Sequence, residues 1–184
     1  QNDILILNSQ TVTSFQELND AVEVVTNGIT FKTNKLLFTT NGFASQLTNN
    51  QVQPARAQVL ITKPIPNLDI RGTFHLDKGY FYFRNINDRI LFGGGRNLDF
   101  AGETTTSHDT TELIQNRLEE LLKTVILPHQ DFEIEHRWSG TMGVGTHKKP
   151  IVEQLSNNVY CGVRMGGMGV AIGSLVGQEL ADLL

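Results

Sequence analysis

A chain of 184 residues with 39% hydrophobic and 18% charged content carries enough apolar material for one ordinary globular core, or for two small lobes. Its formal charge of −4 is scattered over both signs, with no basic stripe to neutralise phosphates, so nucleic acid is not an expected partner. The single Cys161 excludes an internal disulfide and a thiolate metal cluster and fits a reducing compartment, the cytoplasm; no apolar run approaches the roughly 20 residues that span a bilayer.

The opening Gln1-Asn2-Asp3 lacks the basic and apolar regions of a signal peptide and has no methionine, so sequence is expected to stand before Gln1. Ile4, Ile6, Val12, Phe15, Val22, Val24, Ile29 and Phe31 then fall in short runs that read as β-structure. Asn27-Gly28 between Val22–Val25 and Ile29–Lys32 predicts a hairpin closed by a tight primed turn, because both residues tolerate positive φ. Lys35–Thr40 reads as a strand buried on both faces and ends in Asn41-Gly42.

Strand signals dominate from Ala55 to Leu98: Ala57–Thr62, Gly79–Arg84 and Arg89–Phe92, the last two joined by a polar loop as a hairpin. Asp109, three residues before Glu112, marks a helix start. Leu113, Ile114, Arg117, Leu118, Leu121 and Leu122 then repeat at helical spacing up to Pro128. Phe132–Trp138 alternates like a half-buried strand, Asn158–Val163 is another strand, and a last helix runs from Gly169.

The cluster Gly166-Gly167-Met168-Gly169-Val170 follows a strand and opens a helix, the context of a dinucleotide-binding fingerprint. A nucleotide-binding start needs a second strand and an acidic residue about 20 positions further on, yet only eleven residues follow Gly173, so the pyrophosphate reading fails. Two readings remain for the glycines: bare N–H groups at a helix start receiving negative charge, or room for tight strand–helix packing. His75, His108, His129, His136 and His147 show no metal-ligand spacing, and no G-x-S-x-G elbow is present.

Arg137-Trp138-Ser139-Gly140-Thr141-Met142-Gly143, Pro150-Ile151-Val152, Asn158–Gly162 and the glycine-rich helix start resemble, in order and spacing, the carboxyl-terminal signature of D-amino-acid-oxidase-like flavoproteins, the glycine- and sarcosine-oxidase type among them. Thr39–Ala44 resembles that family's turn beside the flavin, Pro54–Gln58 its return into the substrate domain, and Arg89–Gly94 its hairpin strand into a Gly-Gly turn. The resemblance covers nearly the whole chain but lacks the G-x-G-x-x-G that grips FAD, so it implies that an amino-terminal FAD-binding segment lies elsewhere and that these residues alone are inactive.

What the resemblance implies is an α+β fold: an antiparallel or mixed sheet as substrate lobe (residues 54–136) flanked by a helix, with 1–53 and 137–184 forming the incomplete part of an FAD-binding lobe. It implies FAD held non-covalently, since Met142 and its neighbours offer no cysteine. Gly42, Arg56, Gly140, Gly166, Gly167, Met168, Gly169 and Val170 are its implied cofactor contacts. Tyr80, Tyr82 and Arg84, alternating on one strand, and Arg164, just before the glycines, are candidates for a substrate carboxylate, because guanidinium gives a planar fork and phenol a directional hydroxyl. The implied reaction is oxidation of the C–N bond of an amine or amino acid. Its alternatives are dehydrogenation of a hydroxy acid, a polyol phosphate or an aminomethyl-modified tRNA base, or a non-catalytic interaction domain.

Overall fold

The computed structural model describes residues 4–46 and 51–184; the opening Gln1-Asn2-Asp3 lies outside them. In chain order the elements are β1 (Val12–Glu17), β2 (Val22–Thr26), β3 (Thr30–Thr33), β4 (Leu36–Phe38), β5 (Gln53–Thr62), β6 (Thr73–Leu76), β7 (Phe81–Ile86), β8 (Arg89–Gly94), α1 (Glu112–Leu121), β9 (Ile134–Val144), β10 (Ile151–Ser156), β11 (Val159–Val163) and α2 (Gly169–Ala181). They form two compact units, residues 1–53 with 143–184, and residues 54–142. The architecture is α+β, with antiparallel and mixed sheets and few helices. No helix among the described residues is long and apolar enough to cross a membrane.

The first unit holds an antiparallel sheet β1-β2-β3 and a mixed sheet β10-β11-β4, in which β4 runs parallel to β11. Val22, Val24, Phe38, Ala44, Val52, Val159, Cys161 and Val163 make its core, and Phe15 tilts against Phe38 with ring centroids 5.1 Å apart. All five residues of β11 are buried, which is why Asn158–Val163 reads so clearly as a strand. Helix α2 seals this sheet through Val176 and Leu180; a Cβ at Gly162 would stand 3.0 Å from Leu180 Cδ2, so here a glycine does serve helix–strand packing.

Three expectations are corrected in this unit. The β2–β3 hairpin forms, with Val25 opposite Thr30, but neither Asn27 nor Gly28 has positive φ. The turn is held instead by the Thr26 hydroxyl, which accepts from Gly28 N and Ile29 N and donates to Ile29 O at 2.7 Å. Strand β4 is three residues long and lies at a sheet edge, with only Phe38 buried. Ile4–Leu7 is irregular and exposed, Leu5 at 81%, because no strand pairs with it among the described residues.

The second unit is a five-stranded sheet in the order β6-β7-β8-β5-β9. Leu60, Phe81, Phe92 and Ile90 come from the sheet and Ile114, Leu118, Leu121 and Leu122 from α1 and its continuation, all buried in one core. Helix α1 starts at Thr111 as N-cap, two residues after Asp109; Asp109 Oδ2 instead accepts from Ser107 Oγ, and Thr111 N–H is satisfied by Gln58 Oε1 at 2.9 Å. A wider π turn at Leu122–Ile126 prolongs the helix and keeps Leu122 and Ile126 both inside. The β7–β8 hairpin closes over Asn87-Asp88, with Asn87 at φ 51°.

Candidate functional site

In the first unit the geometry centres on the start of α2. β11 ends at Val163, the chain passes through Arg164 and Gly166 with φ of 62° and 57°, and the helix begins at Gly169. The left-handed φ at Gly166 is a conformation that L side chains rarely adopt, which accounts for a glycine there. Two hydrogen bonds brace the turn from below: Gly166 N–H donates to Gly143 O at 2.9 Å and Met165 N–H to Asn41 Oδ1 at 3.1 Å. Gly143 is required by that contact, since a Cβ would approach Asn41 Oδ1 to 2.7 Å. The turn that contains buried Gly42 and the glycine cluster are therefore neighbours.

The helix start is open around its glycines. A Cβ at Gly166 meets nothing within 4 Å, and one at Gly169 meets only Met165 Cε at 4.0 Å. Met168 is 58% exposed and Val170 fully so. The first helical bonds run from Ala171 N and Ile172 N to Met168 O, so the N–H groups of Gly169 and Val170 precede the hydrogen-bonded ladder. Packing accounts for Gly162 and the left-handed φ for Gly166, while a Cβ at Gly169 would be in ordinary contact with Met165 Cε alone.

Arg164 is expected to present its guanidinium to a ligand, but it is only 8% exposed. Its Nε donates to Lys149 O at 2.9 Å, its side chain lies over Gly145, and Nη1 is buried without a partner. The left-handed backbone turns the side chain towards the 145–149 segment, a direction that sequence spacing does not reveal.

In the second unit, Tyr82 and Arg84 share the sheet face opposite the α1 core and are exposed, whereas Phe81 and Phe83 point into or against that core. The registers set His75, Tyr82, Gly93 and Val59 in one row and Thr73, Arg84, Leu91 and Ile61 in the next. Gly93 lets the Tyr82 ring lie close: a Cβ there would come to 3.1 Å from Tyr82 Cε2 and 2.4 Å from Val59 Cγ1. Packing around the Tyr82 phenol withholds water from its anion and pushes its pKa up. Tyr80 leaves the expected row, because β7 begins only at Phe81 and Tyr80 has helical φ/ψ; its ring meets Phe100 edge-on at 6.2 Å.

Arg56 is also placed otherwise than as an open cofactor contact. It is buried, with Nε and Nη2 donating to Glu103 Oε2 and Oε1 at 3.0 and 2.7 Å. Glu103 Oε1 also accepts from Gln58 Nε2, and Gln58 continues the network to Thr111 and Gln115. Gly140 lies within β9, where a Cβ would meet nothing within 4 Å. Arg96 is missed by sequence reasoning: its half-buried guanidinium lies over the Phe100 ring, 5.0 Å from the centroid. The signal was the triplet Gly93-Gly94-Gly95 just before it.

One unit with a helix-flanked antiparallel sheet and another with a mixed sheet whose helix begins on glycines make up a fold of the amino-acid-oxidase-like kind. The model of the DAO family, FAD dependent oxidoreductase, matches residues 1–183, and the chain belongs to this family. A probable oxidoreductase OrdL from Rhizobium meliloti is 26% identical over 173 residues, 89% of this chain and 38% of its own length. Among solved structures, glycine oxidase from Bacillus cereus superposes with a TM-score of 0.77 at 15% identity, over 95% of this chain and 49% of that one. L-proline dehydrogenase from P. horikoshii gives 0.76 at 20% identity, again over 95% and 49%. The chain thus spans half or less of the length of these relatives.

Proposed function

We propose that the chain is part of a flavoenzyme that oxidises the C–N bond of an amine or amino acid to an imine, with FAD held non-covalently in the cytoplasm. The observation that carries this reading is the open start of α2 at Gly169, whose φ is not left-handed and where a Cβ would meet only Met165 Cε at 4.0 Å. These residues fit a flavin: bare N–H groups and the positive end of a helix suit the edge of the ring on which negative charge gathers in the reduced state. Gly166, Gly167, Met168, Gly169 and Val170 would hold that edge, and the buried Gly42 turn supports them through Asn41. Bound FAD supplies the hydride acceptor.

On the substrate side, the exposed Tyr82 and Arg84 are the groups that would take a substrate carboxylate. Arg164 braces the 145–149 segment, with Nε on Lys149 O and Nη1 buried, so it is not proposed as a substrate contact. The glycine oxidase and L-proline dehydrogenase likenesses support an amine or amino-acid substrate over the alternatives, and the charge of −4 speaks against a tRNA base. The segment that grips the FAD pyrophosphate is read as lying outside these 184 residues.

The test is anaerobic mixing of the full-length protein with a panel of primary and secondary amines and amino acids, 2-hydroxy acids and polyol phosphates. Bleaching of the visible flavin band by a member of the first group is expected. Bleaching by a hydroxy acid or polyol phosphate alone, or by nothing, would contradict C–N oxidation.

A further inference from the structure

Arg164 occupies the turn before α2 at a cost. Its φ of 62° is left-handed, a conformation that a residue with a long side chain rarely adopts, and its guanidinium is buried with Nη1 unpartnered. Glycine at this position would relieve both the strain and the burial. What arginine adds is a tie: Nε donates to Lys149 O at 2.9 Å. The 145–149 segment is shaped to receive it, since a Cβ at Gly145 would stand 2.7 Å from Arg164 Cδ and 2.8 Å from Gln51 O.

That tie closes a loop. Gly143 O accepts from Gly166 N–H and Lys149 O from Arg164 Nε, so both ends of the stretch between β9 and β10 are fastened to one turn, residues 164–166. Residues 146–149 are exposed, and burial does little to fix them. From the turn a run of hydrogen bonds continues into the helix: Met168 N–H donates to Met165 O at 3.0 Å, and Met168 O accepts from Ala171 N–H and Ile172 N–H. Met165 N–H is itself held by Asn41 Oδ1. Arg164 therefore stands at the head of a path of contacts that leads to the start of α2, where the N–H groups of Gly169 and Val170 precede the ladder.

We propose that Arg164 is a positioning residue for the flavin: through its tie to Lys149 it holds the 164–166 turn, and through the turn it sets where the start of α2 meets the ring. This rests on the flavin reading above. Arg164 acts through the backbone, not by contact with cofactor or substrate and not by its charge.

Two substitutions at this position separate the tie from the charge. Glutamine carries Nε2 where arginine carries Nε, so Arg164→Gln keeps a donor for Lys149 O without the cation, whereas Arg164→Met fills the same space with no donor. Gly145→Ala leaves the cation in the chain and displaces the side chain that makes the tie. In the full-length, FAD-loaded protein, midpoint potential and amide hydrogen exchange of the 163–169 segment are measured together. Arg164→Met and Gly145→Ala should lower the potential, because a displaced helix start favours reduced flavin less, and should speed exchange several-fold. Arg164→Gln should keep both near the values of the unaltered protein. If Arg164→Gln behaves as Arg164→Met, charge and not the tie is at work, and the proposal is overturned. Unchanged exchange, or faster exchange with an unmoved potential, in Arg164→Met and Gly145→Ala overturns it too; Gly145→Ala carries the test if Arg164→Met does not fold. Gly169→Val, which acts on the helix start directly, tells the two failures apart. A potential that falls in Gly169→Val but not in the Arg164 and Gly145 variants removes the positioning role and leaves the flavin reading standing; a potential that none of them moves removes the flavin reading itself.

Discussion

Arg56 and Glu103 form the most buried ion pair among the described residues, with side chains 7% and 2% exposed. Removing one partner leaves a charge in the interior, so Glu103→Gln should destabilise the protein by about 3–5 kcal/mol, whereas replacing both by apolar residues should recover much of the loss. Urea unfolding with unchanged slope checks both. Sequence alone suggests a ligand for Arg56 because Glu103 lies 47 positions away and nothing local announces the pairing. Cys161 is legible as a buried small residue; burial, then the charge of Glu153, pushes its thiol pKa up. A pKa raised on folding gives stability that is full below the unfolded thiol's value and is lost as pH rises through the folded one. The urea midpoint should therefore fall in the alkaline range, and Cys161→Ala should flatten that part of the decline.

At the scale of elements, what was legible followed burial. β5, β7, β8, β11 and α1 carry apolar runs or stripes because each buries residues in a core. β6 and β10 show no such signal, since β6 is exposed at three of four positions and β10 at four of six. They are held by backbone pairing to β7 and β11, which leaves no mark on residue choice. Gly93 ties element to site: the row through Val59, Gly93 and Tyr82 has no space for a methyl group. Gly93→Ala should cost on the order of 1–3 kcal/mol and displace the Tyr82 ring, seen as a lower urea midpoint and shifted Tyr82 resonances. An unshifted Tyr82 would mean that β5 gives way instead.

For the whole molecule, the family and the fold class were legible because glycine turns and strand ends recur in order along the chain, each weak and together specific. The direction of Arg164 and the seat of Arg96 over Phe100 were not, because side-chain aim at or after a left-handed residue depends on three-dimensional context. If the pyrophosphate grip lies outside these residues, the 184-residue chain alone should hold no stoichiometric FAD; a flavin spectrum at one equivalent would refute this. The central claim, that the start of α2 faces the flavin, is tested most directly by Gly169→Val in the full-length protein. Thermal stability, FAD content and midpoint potential are measured together. Gly169 has no neighbour closer than Met165 Cε at 4.0 Å, so stability should change by less than about 1 kcal/mol. FAD content and potential should both fall, as the side chain pushes the ring from a helix start that favours reduced flavin by about 1 kcal/mol. A drop in stability with FAD content and potential intact would contradict the account.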